Sequence, residues 1–307
     1  MAKAFSSITH SRNRRQSEVV STLDGKAQNF PVSVIVLSFN SEEDIAACLE
    51  SVRGWAAEVF VVDAFSTDAT VALSEQAGAQ VFRHQFEGFA QQRSWAMYNL
   101  PVANEWLLHL DADERLTPEL RDEIARVVMD SEQRHDAYNV GRRFIWLGRW
   151  LRHGGYYPNP EVRLLRCGCC RVIDAGLREY VAVQGSIGTL RNDMIHESHK
   201  GLAWWTAKHN NYSNHEATEV LTRAGLAALK TAESTESVEG SLRRSLRQHV
   251  FYRCPVYVRP WLLFLYRYVL RCGFLDGTAG LSYCFLHDLW YPFLVDAKYD
   301  EMRRRRG

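Results

Sequence analysis

Residues 106–114 read Trp-Leu-Leu-His-Leu-Asp-Ala-Asp-Glu. An apolar run ends here in three carboxylates within four positions. A strand that only had to fill a core would gain nothing from them, because a buried carboxylate is costly unless a cation pairs with it. Such a run fits the carboxyl edge of an open α/β sheet, where ligands bind.

The residues upstream support that placement. Pro31 to Leu37 (PVSVIVL) is a β-branched run of the kind buried on both faces of a sheet. Ser41 follows at an N-cap position, with Glu42, Glu43 and Asp44 in the first turn and Ile45, Leu49 and Val52 on one helical face. Glu58 to Val62 reads as a second strand, ending at Asp63, and Ser66-Thr67-Asp68 opens a second helix. Ala79 to Phe82 is a short third strand, Gly88 to Leu100 a helix, and Glu105 to Leu110 the fourth strand. Strands alternating with helices predict βαβ units and an α/β fold with a mostly parallel, doubly wound sheet. Ser38-Phe39-Asn40, Asp63 and Asp111 to Glu114 then converge on one crevice edge.

With 307 residues and 46% hydrophobic composition the chain builds a real core, and 37 basic against 36 acidic residues give no field that would attract nucleic acid. Its seven cysteines have no regular spacing and read as reduced thiols. Cys167-Gly-Cys169-Cys170 lacks a second pair at ligand spacing, so it is not read as a zinc site.

Residues 1–28 are polar, lack the apolar segment of a secretory signal, and read as a mobile tail. Residues 29–225 form the expected α/β domain. Within them Asp136 to Arg166 reads as short extended pieces broken by Gly148, Gly154, Gly155, Pro158 and Pro160, a loop-rich stretch, and Gly201 to Thr222 as a helix. Residues 226–240 read as a linker. Residues 241–307 change character: Cys254 to Leu270 and Leu281 to Val295 are aromatic and aliphatic but broken by Arg259, Arg267, His287 and Asp288. Neither gives the roughly 20 apolar residues of a spanning helix. Trp, Tyr and Arg at this density predict amphipathic helices lying in a bilayer interface, with Arg303 to Arg306 as a basic tail.

If the fourth strand persists, Asp111 and Asp113 share a face. Paired carboxylates at a strand end suit Mg2+ or Mn2+, hard ions that complete their shells with substrate phosphates. A calcium-loop reading fails, because Leu116 stands where the sharp turn needs glycine.

Val32 to Asn40, Val61 to Thr70 and Leu110 to Glu114, taken in order, resemble family 2 glycosyltransferases of the GT-A fold over residues 31 to 215. Gly88 to Arg93, Gly155 to Pro158 and Arg163 to Leu165 resemble the branch related to lipopolysaccharide core glucosyltransferases. The resemblance implies a UDP-sugar donor, with Ser38, Asn40 and Glu42 bordering the base and Asp63 on uracil or ribose. It implies Asp111 and Asp113 around ribose and metal, Arg93 and Arg163 near the diphosphate or sugar, and Glu179 as the base of an inverting transfer. Arginine stands at 178 where the branch commonly has histidine; Asp174 and Glu197 are the other base candidates, and His196 matches a histidine seen in the branch. His209 and His215, six apart, are poorly spaced for shared metal ligation and read as packing or acceptor contacts.

Asp63 and Asp68 also suit helix starts, and Arg93 and Glu179 suit surface positions. The functional reading is a metal-dependent transfer of sugar to a lipid-linked or lipopolysaccharide-type glycan, by a cytoplasmic protein held at the inner face of the membrane. A catalytically silent membrane scaffold and a nucleotidyltransferase are the rivals. The second would want a glycine- and lysine-rich loop after the first strand, and Ser38 to Glu43 is not one.

Overall fold

Strand β1 (Phe30–Ser38) is the spine of the sheet: Val32, Val34, Ile35 and Val36 have no exposed surface. It pairs in parallel with β2 (Ala56–Asp63) on one side and with β4 (Trp106–Asp111) on the other. β3 (Gln80–Arg83) adds in parallel to β2. Val34, Val36, Val61, Leu108 and Leu110 fill one face of this half-sheet, while Ile35, Phe60, Val62 and Leu107 fill the other. Two-sided burial explains why these strands are continuous apolar runs. The structure is a computed structural model and describes residues 29–132, 135–175, 178–221, 255 and 257–306. The expected tail at 1–28 and linker at 226–240 lie outside the described residues.

Helices α1 (Ile45–Glu50), α2 (Thr70–Gln76), α3 (Phe89–Asn99) and α4 (Pro118–Met129) connect or flank these strands. Thr117 caps α4, its hydroxyl accepting from the Leu120 N–H at 3.2 Å. Ser41 does not cap α1. Residues 42–44 form a turn first, the helix begins at Ile45, and the Ser41 hydroxyl donates back to the Phe39 carbonyl at 3.0 Å.

Asp136 to Arg166 departs from the loop-rich expectation. It holds two strands of the central sheet, β6 (Ala137–Trp146) and β8 (Glu161–Arg166), and the short β7 (Arg149–Trp150). β8 is antiparallel to both β4 and β6. β11 (Ile187–His196) runs parallel to β6, and β5 (Glu114–Leu116) closes the edge antiparallel to β11. The order is β3-β2-β1-β4-β8-β6-β11-β5. The α/β fold with its mixed, largely parallel sheet therefore stands. The glycines and prolines punctuate the turns between β6 and β8; at Gly154 (φ +68°) a Cβ would come within 2.6 Å of the Tyr156 ring. A separate hairpin, β9 (Cys170–Ala175) with β10 (Arg178–Val183), packs on α3.

Helix α5 (Gly201–Leu221) follows β11. After it come α6 (Val258–Leu265), α7 (Gly277–Tyr283) and α8 (Tyr291–Arg306), with π-helical turns at Tyr266–Leu270 and Cys284–Trp290. These helices share a core with the sheet. Ala279, Tyr283 and Cys284 pack with Trp146, Leu151 and Tyr156, and the Trp146 indole donates to the Ser282 hydroxyl at 3.0 Å. Their other side stays apolar in solvent: Trp261 is 53% exposed and Leu270 74%, with Leu262, Leu265, Phe274 and Phe285 alongside. A 420 Å³ groove lined by Thr278, Leu281, Ser282, Phe285 and Leu286 opens there. No described helix is long and apolar enough to cross a membrane. In the basic tail, Arg304 and Arg305 pair with Asp300 and Glu301 one turn back, at 2.8 and 2.6 Å.

Candidate active site

The register brings three strand ends level: Ser38 sits opposite Asp63 across β1 and β2, and Leu37 opposite Asp111 across β1 and β4. The chain runs outward through β2 and β3, then returns to the other side of β1 as β4. Strand order thus reverses at β1, and a ligand crevice forms at such a reversal.

At the β1–β2 end the polar side chains are turned to one another. Asp63 is fully buried and accepts from the Ser38 hydroxyl at 3.1 Å, the Ser66 N–H at 2.8 Å and the Ser66 hydroxyl. The Asn40 N–H donates to the Ser66 hydroxyl and its side-chain oxygen accepts from the Thr67 N–H, both at 2.8 Å. Glu42 accepts from the Ala69 N–H at 3.0 Å, and Asp68 from the Glu42 N–H at 3.1 Å. These bonds zip two strand-end loops together and leave the rings of Phe39 and Phe65 about half exposed at the rim. Asn40 and Phe65 take left-handed backbone angles, φ +43° and +61°, which non-glycine residues adopt only where surroundings enforce them.

At the β4 end, arginines and acids form one buried network. Asp111 accepts from Arg93 at 2.6 Å and from Arg163 at 2.9 Å, one arginine on each oxygen. Arg163 also reaches Glu114 at 2.7 Å and Glu161 at 3.0 Å, while Arg142 pairs with Glu161 at 2.5 Å. Arg93 turns its Nε to Glu179. Burial by itself would raise the Asp111 carboxyl; Arg163 and Arg93 outweigh it and hold the group well below the usual carboxylate range. Glu114 goes the other way, pushed up by burial. Four buried atoms of this network, Arg93 Nη1, Arg142 Nε, Arg163 Nε and Glu179 Oε2, have no hydrogen-bond partner among the described residues. Orphaned buried polar atoms are rare, and four in one network point to a ligand-completing site.

Asp113 behaves differently from Asp111. β4 stops at Asp111 and residues 112–113 form a turn, so strand alternation does not put the two on one face. Each Asp111 oxygen accepts from one arginine while the side chain stays about one-third exposed, so a cation held alongside Asp113 would share Asp111 with Arg93 and Arg163. Asp113 lies 3.4 Å from His196. Burial raises the Asp113 carboxyl, but His196 more than offsets this and the group stays below its ordinary value. Among the described residues no group of three or more metal-ligating side chains assembles. A carboxylate at this place fits a divalent ion whose remaining ligands are diphosphate oxygens and water, the usual arrangement for Mg2+ at phosphate substrates, and the His196 imidazole stands beside it.

Of the other candidates, Asp174 accepts from Gln91 at 2.7 Å and Glu197 pairs with Arg115. His209 stacks on Trp205 at 3.5 Å, a packing role, and burial pushes its pKa down to about 4. The Arg178 side chain lies outside what the structure describes. Residue-by-residue reading missed Glu114, Glu161 and Arg142 as members of the network. It also missed His109, fully buried beneath the network, with both ring nitrogens unpartnered among the described residues. A histidine inside an apolar strand two residues before the acids was the available signal.

A family model described as Glycosyl transferase family 2 matches residues 33–180, a span that includes every acid and arginine of the rim from Asp63 to Glu179. An uncharacterized glycosyltransferase of Rickettsia typhi is 36% identical over 200 residues, 62% of this chain and 68% of that protein. The chain belongs to glycosyltransferase family 2. The lipopolysaccharide core biosynthesis glycosyltransferase LpsC of Rhizobium meliloti is 26% identical over 267 residues, 83% of this chain and 90% of that one. Against uncharacterized glycosyltransferases of Rickettsia felis and Rickettsia conorii, the chain spans 38% of their length. The mannosyltransferase PcManGT of Pyrobaculum calidifontis, solved with GDP-Man and Mn2+, is 15% identical at a TM-score of 0.48, covering 94% of both chains.

Proposed function

We propose that the protein is an inverting glycosyltransferase that moves a hexose from a UDP-sugar to a lipid-linked or lipopolysaccharide-type glycan at the inner face of the cell membrane. The observation that carries the reading is the rim itself: Asp113 facing His196 at 3.4 Å, beside an Asp111 clamped by two buried arginines.

In this reading Ser38, Asn40, Glu42 and Asp63 shape the base and ribose end through the loops they tie together. Asp113, with Asp111 and with His196 beside it, would hold Mg2+ or Mn2+ together with the donor diphosphate. A cation bound there supplies neutralising charge as the diphosphate departs. Arg93 and Arg163 fix Asp111 at the sugar end of the crevice. Glu179 spends one oxygen on Arg93 and presents the other, buried and unpartnered among the described residues, to the acceptor hydroxyl as base. A buried site strengthens each of these interactions by excluding water.

The acceptor class is supported by LpsC, whose name places it in lipopolysaccharide core biosynthesis. The membrane surface is supported by the exposed Trp261, Leu262, Leu265 and Leu270, residues that would bury well at a bilayer interface. The catalytic unit is then 29–225, with the membrane-facing surface within 241–307. A donor screen that follows nucleoside diphosphate release, paired with transfer of radiolabelled sugar, tests the reading. Asp113→Ala abolishes transfer while circular dichroism stays native; retained turnover in that variant refutes it.

A further inference from the structure

We propose that the face of α5 carrying Lys200 (just before the helix), Trp204, Lys208 and Tyr212 is a cationic wall of the donor site, and that Lys208 contacts the diphosphate. The inference deepens the donor reading above and rests on it. The four residues are spaced by four, so they line one face of the helix. Both ammonium groups lie 4.7 Å from the centroid of the Trp204 ring, and Lys208 lies 5.5 Å from the Tyr212 ring. One end of this ladder is pinned to the carboxyl end of β1: Lys200 donates to the Phe39 carbonyl at 3.0 Å and to the Ser41 hydroxyl at 3.1 Å. Because both ammonium groups sit on the one indole, Lys208 stays close to Lys200 and so to that strand end. His196, four residues before Lys200 in the chain, lies 3.4 Å from Asp113. The ladder therefore borders the carboxyl edge of the sheet, where a donor diphosphate would lie.

Charge accounting favours an oxyanion on this wall. Arg93, Arg163, Arg142 and Arg115 all pair with carboxylates, which offsets most of their charge before an anion arrives. Lys200 and Lys208 make no ion pair with an acid among the described residues. Two like charges on one indole repel each other; Lys208 is among the groups that depress the Lys200 ammonium, after burial. A diphosphate lying along the ladder relieves that repulsion and accepts hydrogen bonds from a partly desolvated ammonium, a stronger interaction than an exposed one. The wall lies beyond residue 180, outside the segment that the family model matches.

Calorimetric titration with UDP and with uridine, both in Mg2+, separates a diphosphate contact from a structural effect. Lys208→Met lowers UDP affinity by about tenfold or more, as expected for loss of a charged hydrogen bond, and leaves uridine affinity within about twofold. Lys208→Arg retains UDP binding, and the melting temperature of both variants stays at that of the wild type. UDP affinity unchanged in Lys208→Met and in Lys200→Met/Lys208→Met overturns the wall alone. UDP and uridine weakening together overturns the diphosphate contact. A wild-type protein that binds neither UDP nor GDP overturns the donor reading and the wall with it.

Discussion

Arg163→Met probes the network under the crevice. The guanidinium is 3% exposed and lies within 3.0 Å of three carboxylates, Glu114, Asp111 and Glu161. Asp111 keeps Arg93 and Glu161 keeps Arg142 when it is removed. Glu114 loses most: it has no solvent-accessible surface, and its remaining cation is Arg142 at 3.5 Å. Methionine fills a similar volume, so the cost is electrostatic rather than a cavity. Removing one partner from a buried ion pair costs about 3–5 kcal/mol, out of a total near 5–15 kcal/mol. At this chain size that lowers the melting temperature by about 6–15 °C. Adding Glu114→Gln neutralises the stranded acid yet leaves an acceptor for the Asp111 N–H, which now bonds Glu114 at 2.9 Å. The double variant should recover at least about 1.5 kcal/mol relative to additivity. Urea unfolding followed by circular dichroism measures all four corners of the cycle. Arg163→Met within about 1 kcal/mol of the wild type, or strict additivity, would refute the network.

Two other perturbations test different levels of the account. Burial, then Arg93 and Arg163, hold the His109 ring neutral far below its ordinary range, whereas the unfolded ring takes up a proton near pH 6.5. Stability from this group is complete above pH 6.5 and falls as pH drops below it, by up to about 1.4 kcal/mol per pH unit; His109→Leu should flatten the stability profile between pH 7 and 5 by up to one proton, and an unchanged slope contradicts this. Trp261→Glu/Leu265→Glu should reduce flotation with anionic lipid vesicles by about tenfold or more at unchanged melting temperature, since each large apolar side chain buried contributes about 1.5–3 kcal/mol; equal flotation rules out this face as the docking surface. Deleting the helices outright is a poorer test, because Tyr283 and Cys284 complete the core around Trp146 and Tyr156.

The parallel half-sheet was legible because β1, β2 and β4 are buried on both faces, so each announces itself as a largely apolar run ending in a polar residue. β6 and β8 were not. They carry Arg142, Arg143, Glu161 and Arg163, charges that a one-dimensional reading assigns to loops and that become tolerable only when strands pair them across the sheet. The acids and arginines at the rim were found, but not the ion pairs that join them. Arg93 arrives at Asp111 from α3 and Arg163 from β8, 18 and 52 residues away. Asn40 and Asp63 were placed at strand ends and Glu42 in the turn that follows, yet their bonds go to the neighbouring loop, a pairing that local propensity does not encode. On α5 the Lys-Trp-Lys-Tyr spacing was in plain view; which way that face points was not.

The claim on which the rest depends is that Asp113, at the mouth of the crevice, brings nucleotide and cation together. Equilibrium titration of UDP into the wild type and Asp113→Asn, each with and without Mn2+, measures it directly. UDP binding that strengthens with Mn2+ in the wild type and loses that dependence in Asp113→Asn is the predicted result. The same Mn2+ dependence in both proteins, or none in the wild type, contradicts it.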